Sequence, residues 1–224
     1  FTPYEEGQNL GDKLTYAQIN RRMTIVKPYT KWVRSFSCTD GNELIPQVAR
    51  EHGLKTMVGA WIDTNEFNNQ VELNALISLA KKGFVDIAVV GNEVLMRNEL
   101  SATAIINYVQ YVKQAVPNIP VGYVDAYYQF VEYPELVEAC DIILANCYPF
   151  WEGCEIEKST AYLNQMYQTA LQVSKGKPVI VTETGWPNEG SAVQGAVPSA
   201  ENAMTYFVNV QAWAKKEKAD LFYF

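Results

Sequence analysis

The chain has 224 residues, 48% hydrophobic and 19% charged, so it carries enough apolar side chain for one large globular core and is not a disordered chain. Its net charge of −7 argues against nucleic acid as a partner, because a phosphate backbone calls for a basic face. No apolar run reaches the roughly 18 residues of a membrane span. No signal peptide is present in the chain, although a mature secreted chain would have lost one.

Taken in order, Phe1 to Asp12 is polar and turn-rich. Thr15 to Tyr29 reads as a helix with apolar Ile19, Met23 and Val26, ended before Pro28 or near it. A strand follows at Trp32–Cys38, a helix at Asn42–His52 closed by Gly53, and a strand at Lys55–Ile62. A helix at Glu66–Lys82 stops at Gly83. The strand Val85–Glu93 is next, then a helix from Ser101, its expected N-cap, to about Val116. Pro120–Asp125 is a strand, Tyr133–Cys140 a short helix, Ile142–Tyr148 a strand and Ser159–Ser174 a helix. Pro178–Thr184 is a strand, Ser199–Glu217 a long helix, and Asp220–Phe224 the last strand.

Seven strands alternating with seven helices predict a parallel α/β fold in a single domain over residues 1–224. The favoured form is a (β/α)8 TIM barrel whose first strand would lie before Phe1. An open doubly wound sheet is the alternative.

Two stretches carry the chemistry. Lys177–Pro187 reads KPVIVTETGWP, a β-branched run that ends in Glu183. Val85–Glu93 has the same grammar and ends in Glu93. A carboxylate at the tail of a buried strand is costly unless it is paired or used. Strands of a barrel point their C-terminal ends at one face, where the chemistry sits. The strand ends also supply Arg34, Asn92, Tyr123, Asp125, Tyr128, Tyr148, Trp151, Glu152 and Trp186. Trp186, between Gly185 and Pro187, is expected to be exposed.

Other chemistries lack their residues. The single histidine, His52, stands at a helix end, which removes most Ser-His-Asp and Cys-His schemes. Nucleotide loops and zinc spacings are missing, so no cofactor and no metal is expected. Cys38, Cys140, Cys147 and Cys154 allow three disulfide pairings or four buried thiols, and the spacing does not choose.

Paired carboxylates with aromatic faces and amides suit glycosidic cleavage. One carboxyl protonates the leaving oxygen and the other attacks or activates water. The motifs Val89–Glu93 (VVGNE) and Val181–Pro187 (VTETGWP) resemble the two signatures of the family-17 glycoside hydrolases. Gly7-Gln8-Asn9, Val33–Phe36 with Thr39-Asp40, and Asn146–Trp151 match in order over nearly the whole chain. The resemblance implies a retaining β-1,3-glucanase or β-1,3-glucanosyltransferase on a (β/α)8 barrel. Glu93 would be its acid/base and Glu183 its nucleophile, with Asn92 on the sugar's 2-hydroxyl. A first strand would precede Phe1, and acidic and aromatic residues would follow Phe224.

The short Phe150–Glu157 segment resembles the fungal rather than the plant enzymes. It leaves the acceptor side open, with Trp151 and Glu152 placed for an acceptor glucan. The expected partner is therefore a laminarin-type β-1,3-glucan, acted on by a monomer that is secreted or held in the cell wall. An inactive glucan-binding wall protein is the contrasting reading. An aldolase-type barrel would want a strand-end lysine, which is missing.

Overall fold

The structure is a computed structural model that describes residues 1–9 and 11–224. Leu10, in the turn-rich opening, lies outside the described residues. The described chain divides into two compact units, Phe1–Tyr123 and Val124–Phe224.

The first unit holds α1 (Tyr16–Val26), β1 (Trp32–Ser35), α2 (Leu44–Glu51), β2 (Lys55–Ala60), α3 (Glu66–Lys81), β3 (Ile87–Asn92) and α4 (Ala102–Ala115). Strands β1, β2 and β3 are parallel neighbours, with Arg34 opposite Met57 and Gly59 opposite Val89. Both faces of β2 and β3 are buried, which is why their sequences run continuously apolar instead of alternating. Ile19, Met23, Ile45 and Val48, all at most 1% exposed, form a cluster that seats α1 and α2 on Val33. Truncating a side chain such as Met23 to Ala would cost about 2–5 kcal/mol.

Caps and stops follow the local sequence. Ser101 accepts a hydrogen bond from the Ala104 amide, as an N-cap should, and Thr15 and Asn65 do the same for α1 and α3. Helix α1 ends at Val26, before Pro28 as expected. The rest of the expected segment is a 3-10 turn, Lys27–Tyr29, because Pro28 has no amide to continue the α-helix. The expected strand tail to Cys38 is irregular, since the Cys38 amide donates to the Glu72 carboxylate instead of a neighbouring strand.

The strand β4 (Val121–Ala126) runs from the first unit into the second. The second unit continues with α5 (Gln129–Glu132), α6 (Pro134–Ala139), β5 (Ile143–Asn146), α7 (Ile156–Val173), β6 (Val179–Thr184), α8 (Ala200–Glu217) and β7 (Asp220–Tyr223). From β4 to β7 each strand pairs in parallel with the next. The expected helix Tyr133–Cys140 is in fact two short helices. Tyr133, held at φ −121° and ψ 75°, breaks them, because a residue before proline is pushed out of the helical region. Helix α7 starts three residues earlier than Ser159, just after Glu155 with its extended backbone.

The fold class is α/β: parallel strands taken in sequence order and separated by helices, as in a TIM barrel.

Candidate active site

In the first unit the site begins at the end of β3. Gly91 has φ +84°, and a Cβ there would stand 2.9 Å from the Val94 side chain. Glu93, two residues on, also has positive φ, at 54°. For a non-glycine residue this costs about 1–2 kcal/mol, so the surroundings must hold it. The Glu93 carbonyl accepts from the Arg97 amide at 2.9 Å. The Arg97 guanidinium donates to the Asn92 carbonyl and, at 3.0 Å, to the Ile62 carbonyl. It also pairs with Glu99 and lies 4.7 Å from the Trp61 ring centroid. The Tyr123 hydroxyl accepts from the Leu95 amide at 2.9 Å. Together these bonds fix a left-handed turn that swings the half-buried Glu93 off the strand axis.

Arg34, on β1 and 4% exposed, donates from Nη2 to Asn92 Oδ1 at 2.6 Å. A guanidinium only donates, so this bond fixes which way the Asn92 amide faces. Its Nδ2 is left to donate away from Arg34. Tyr123 is fully buried, and its hydroxyl is part of the turn's frame.

In the second unit the site begins at the end of β6. Glu183 is 7% exposed and its Oε2 accepts from the Tyr148 hydroxyl at 3.0 Å. The register between β5 and β6 shifts just before it, so that Asn146 faces Glu183 while Ala145 faces Val181. Such irregularities re-aim a side chain at a strand end. The flanking threonines are pinned: Thr182 donates to Asn146 Oδ1 at 2.8 Å, and Thr184 bonds the Tyr206 hydroxyl at 2.6 Å. Glu183 is therefore held between two anchored neighbours. Asp125 is fully buried, and its Oδ1 accepts from the Ala126 amide at 2.8 Å.

Trp186 differs from expectation. The Gly-Pro setting argues for exposure, but the ring is 5% exposed and its indole N–H donates to the Val197 carbonyl at 2.9 Å. Aromatic packing decides this. Trp186 meets Tyr206 on one side and Phe150 on the other, and Phe150 meets Trp151 edge to face. Trp186 thus supports a ladder whose outer member, Trp151, is 63% exposed. Tyr128, at 40%, and Glu152 are exposed as well.

Several residues of the framework escaped the sequence reading. Glu72 is buried in α3 and satisfied by four donors: the Ser37 and Thr39 hydroxyls and the Cys38 and Trp61 amides. It ties the segments after β1 and β2 together. The signal was there, since Asn69, Glu72, Leu73 and Leu76 share one face of α3 at helical spacing, and that face is buried. Arg97 and Tyr162 gave no such signal. None of the four cysteines is in a disulfide; Cys38, Cys140 and Cys147 are buried and Cys154 is half-buried. Burial, and next the Glu152 charge, raises the Cys147 thiol far above its ordinary value. Among the described residues no cluster of three or more His, Cys, Asp or Glu is arranged to hold a metal, and no helix is long and apolar enough to cross a membrane.

Comparisons with known proteins agree on one family. The model of the BtgE/BtgC glycoside hydrolase domain matches residues 1–224. A glucan 1,3-beta-glucosidase of Saccharomyces cerevisiae is 27% identical over 84% of this chain and 69% of its own length. A probable glucan endo-1,3-beta-glucosidase, btgC, of Aspergillus fumigatus is 30% identical over 77% of this chain, which spans only 28% of that protein. Among solved structures, the glycoside hydrolase family 17 beta-1,3-glucanosyltransferase from Rhizomucor miehei superposes with a TM-score of 0.89 at 33% identity, covering 97% of this chain and 84% of that one. A Bacteroides uniformis beta-glucuronidase, at 15% identity and a TM-score of 0.72, shares the fold alone. The chain belongs to the BtgE/BtgC glycoside hydrolases, within glycoside hydrolase family 17.

Proposed function

We propose that this chain is a retaining β-1,3-glucan-active enzyme, a β-1,3-glucanosyltransferase that cuts and re-joins glucan through a glycosyl-enzyme. The observation that carries the reading is Glu183: a buried carboxylate at a re-aimed strand end, steadied by the Tyr148 hydroxyl. The Rhizomucor miehei relative supports it, since its mutant was captured with laminaritriose. Residues 1–224 act as one catalytic domain in this proposal, without a cofactor and as a monomer. Its setting is the cell wall or the outside of the cell, its substrate a laminarin-type glucan.

Glu183 attacks the anomeric carbon while Glu93 gives its proton to the leaving glycosidic oxygen. The C–O bond to the aglycone breaks as the bond to Glu183 forms, giving a covalent ester. Glu93, now a carboxylate, takes the proton of an incoming acceptor hydroxyl. That oxygen displaces Glu183, and two inversions leave the configuration retained. Retaining chemistry calls for carboxyl groups about 5–5.5 Å apart. Asn92 Nδ2, turned away from Arg34, donates to the 2-hydroxyl, an interaction that strengthens in an oxocarbenium-like transition state. Trp151, Tyr128 and Glu152 bind the acceptor glucan.

A second reading, endo-hydrolysis on the same two glutamates, draws on the btgC relative. A product time course on laminari-oligosaccharides tests both. The proposal expects products longer than the substrate. Shorter products alone would favour the endo-glucanase, and glucan bound without cleavage would make the chain a binding protein.

A further inference from the structure

Glu152 lies in the exposed loop between β5 and α7, where a free carboxylate side chain would sample many rotamers. It does not. The Tyr162 hydroxyl, from the second turn of α7, donates to Glu152 Oε2. Tyr127, just past β4, stands close enough to Tyr162 and Glu152 to feel both. The Glu152 bond, and then burial, lifts the Tyr162 phenol far above its ordinary value, and burial followed by the Glu152 charge raises Tyr127. Both phenols therefore keep their protons in neutral and acidic solution.

The Tyr127 ring meets the exposed Tyr128 edge to face at 5.4 Å. The loop backbone is held from the other side. Gly195 donates to the Gly153 carbonyl at 3.1 Å, and a Cβ on Gly153 would meet the Gln194 side chain at 2.8 Å. The segment Phe150–Cys154 is thus clamped by the 193–196 turn, while Tyr162 clamps its carboxylate. An exposed loop with two independent restraints is pre-organised, and pre-organisation lowers the entropy lost when a ligand docks.

We propose that Tyr162 is a positioning residue for the sugar on the leaving-group side of the scissile bond: it holds Glu152 in the arrangement that binds the aglycone or acceptor glucan. This rests on the acceptor-side role given to Glu152 under the proposed function. Tyr162 itself touches no reacting atom.

The test compares two substrates of the purified chain. A laminari-oligosaccharide places sugar on both sides of the scissile bond; an aryl β-laminarioligoside places sugar only on the donor side. For Tyr162→Phe, kcat/KM on the oligosaccharide is expected to fall about three- to tenfold, the worth of one hydrogen bond to a partly exposed carboxylate. On the aryl substrate it should change less than about twofold, and the melting temperature should hold. Glu152→Gln should show the same split, and the double variant should be no worse than Glu152→Gln alone, since the two act as a unit. Equal losses of Tyr162→Phe on both substrates would make Tyr162 merely structural and overturn the inference. So would an unchanged oligosaccharide rate in Tyr162→Phe beside a reduced one in Glu152→Gln. An unchanged rate in Glu152→Gln would instead remove Glu152 from the acceptor side, and a wild-type chain that cleaves neither substrate would sink the proposed function itself.

Discussion

The first unit ends its glutamate-bearing strand in an irregular turn, while the second keeps its glutamate within the strand. Glu93 is half-buried and left-handed, at φ 54°, and its turn depends on Arg97 and Tyr123. Glu183 is 7% exposed, lies between Thr182 and Thr184 with their hydroxyls engaged, and takes a hydrogen bond from Tyr148. The difference fits two jobs. A nucleophile must stand at one place, which the Tyr148 bond and the pinned threonines provide. An acid/base must change protonation twice per turnover, which an open, partly solvated position allows. Burial alone does not distinguish the two glutamates; the hydrogen-bond donor at Glu183 supports the nucleophile role proposed for it.

The comparison breaks first at Glu183. Glu183→Gln keeps the shape and the Tyr148 bond but loses the attacking oxygen anion, so turnover should fall by about 10³-fold or more on every substrate. Glucan binding, read by affinity electrophoresis, should persist. Near wild-type turnover would remove the nucleophile.

Glu93→Gln should be selective. Cleavage of natural glucan should fall by about 10²- to 10⁴-fold, the usual range for a lost general acid. An aryl substrate with a good leaving group needs no proton, and its first step should fall far less. Steady-state and burst kinetics on the two substrates decide; matched losses would strip Glu93 of the acid role.

Gly91→Ala sharpens the contrast in backbone. With φ at +84° and Val94 2.9 Å from a new Cβ, the turn under Glu93 must shift. A loss of about 1–3 kcal/mol is expected, read as a melting temperature lowered by about 2–10 °C. Catalysis on glucan should suffer alongside it, because Glu93 is displaced. Gly176, also left-handed at φ +81° but with nothing within 4 Å of a new Cβ, separates the backbone cost from the crowding.

The smallest effect is expected at Trp151. It is 63% exposed, so Trp151→Ala should move stability by no more than about 0.5 kcal/mol. The ratio of transfer to hydrolysis should nevertheless fall by about threefold to fivefold as the acceptor loses a stacking face. An unchanged ratio in product analysis would take Trp151 out of the acceptor side.

Much of this was legible before any coordinates. The apolar runs before Glu93 and Glu183 report strands buried on both faces, and the structure ends β3 and β6 there. Ser101 announces a cap that forms. Two departures have physical causes. The break at Tyr133 comes from the proline that follows it. The burial of Trp186 is set by Phe150 and Tyr206, not by its neighbours in sequence.

The sequence by itself determined the alternation of strand and helix, the strand-end placement of the two glutamates and the family signatures around them. Those are written in hydrophobic period and in short-range residue order, which act within a few residues along the chain. Only the tertiary structure decided which group steadies which. Tyr148 reaches Glu183 from 35 residues away, Arg34 reaches Asn92 from 58, and Glu72 gathers Ser37, Cys38 and Thr39 from more than 30. A hydrogen bond depends on where two distant side chains end up in space, and no local pattern encodes that position.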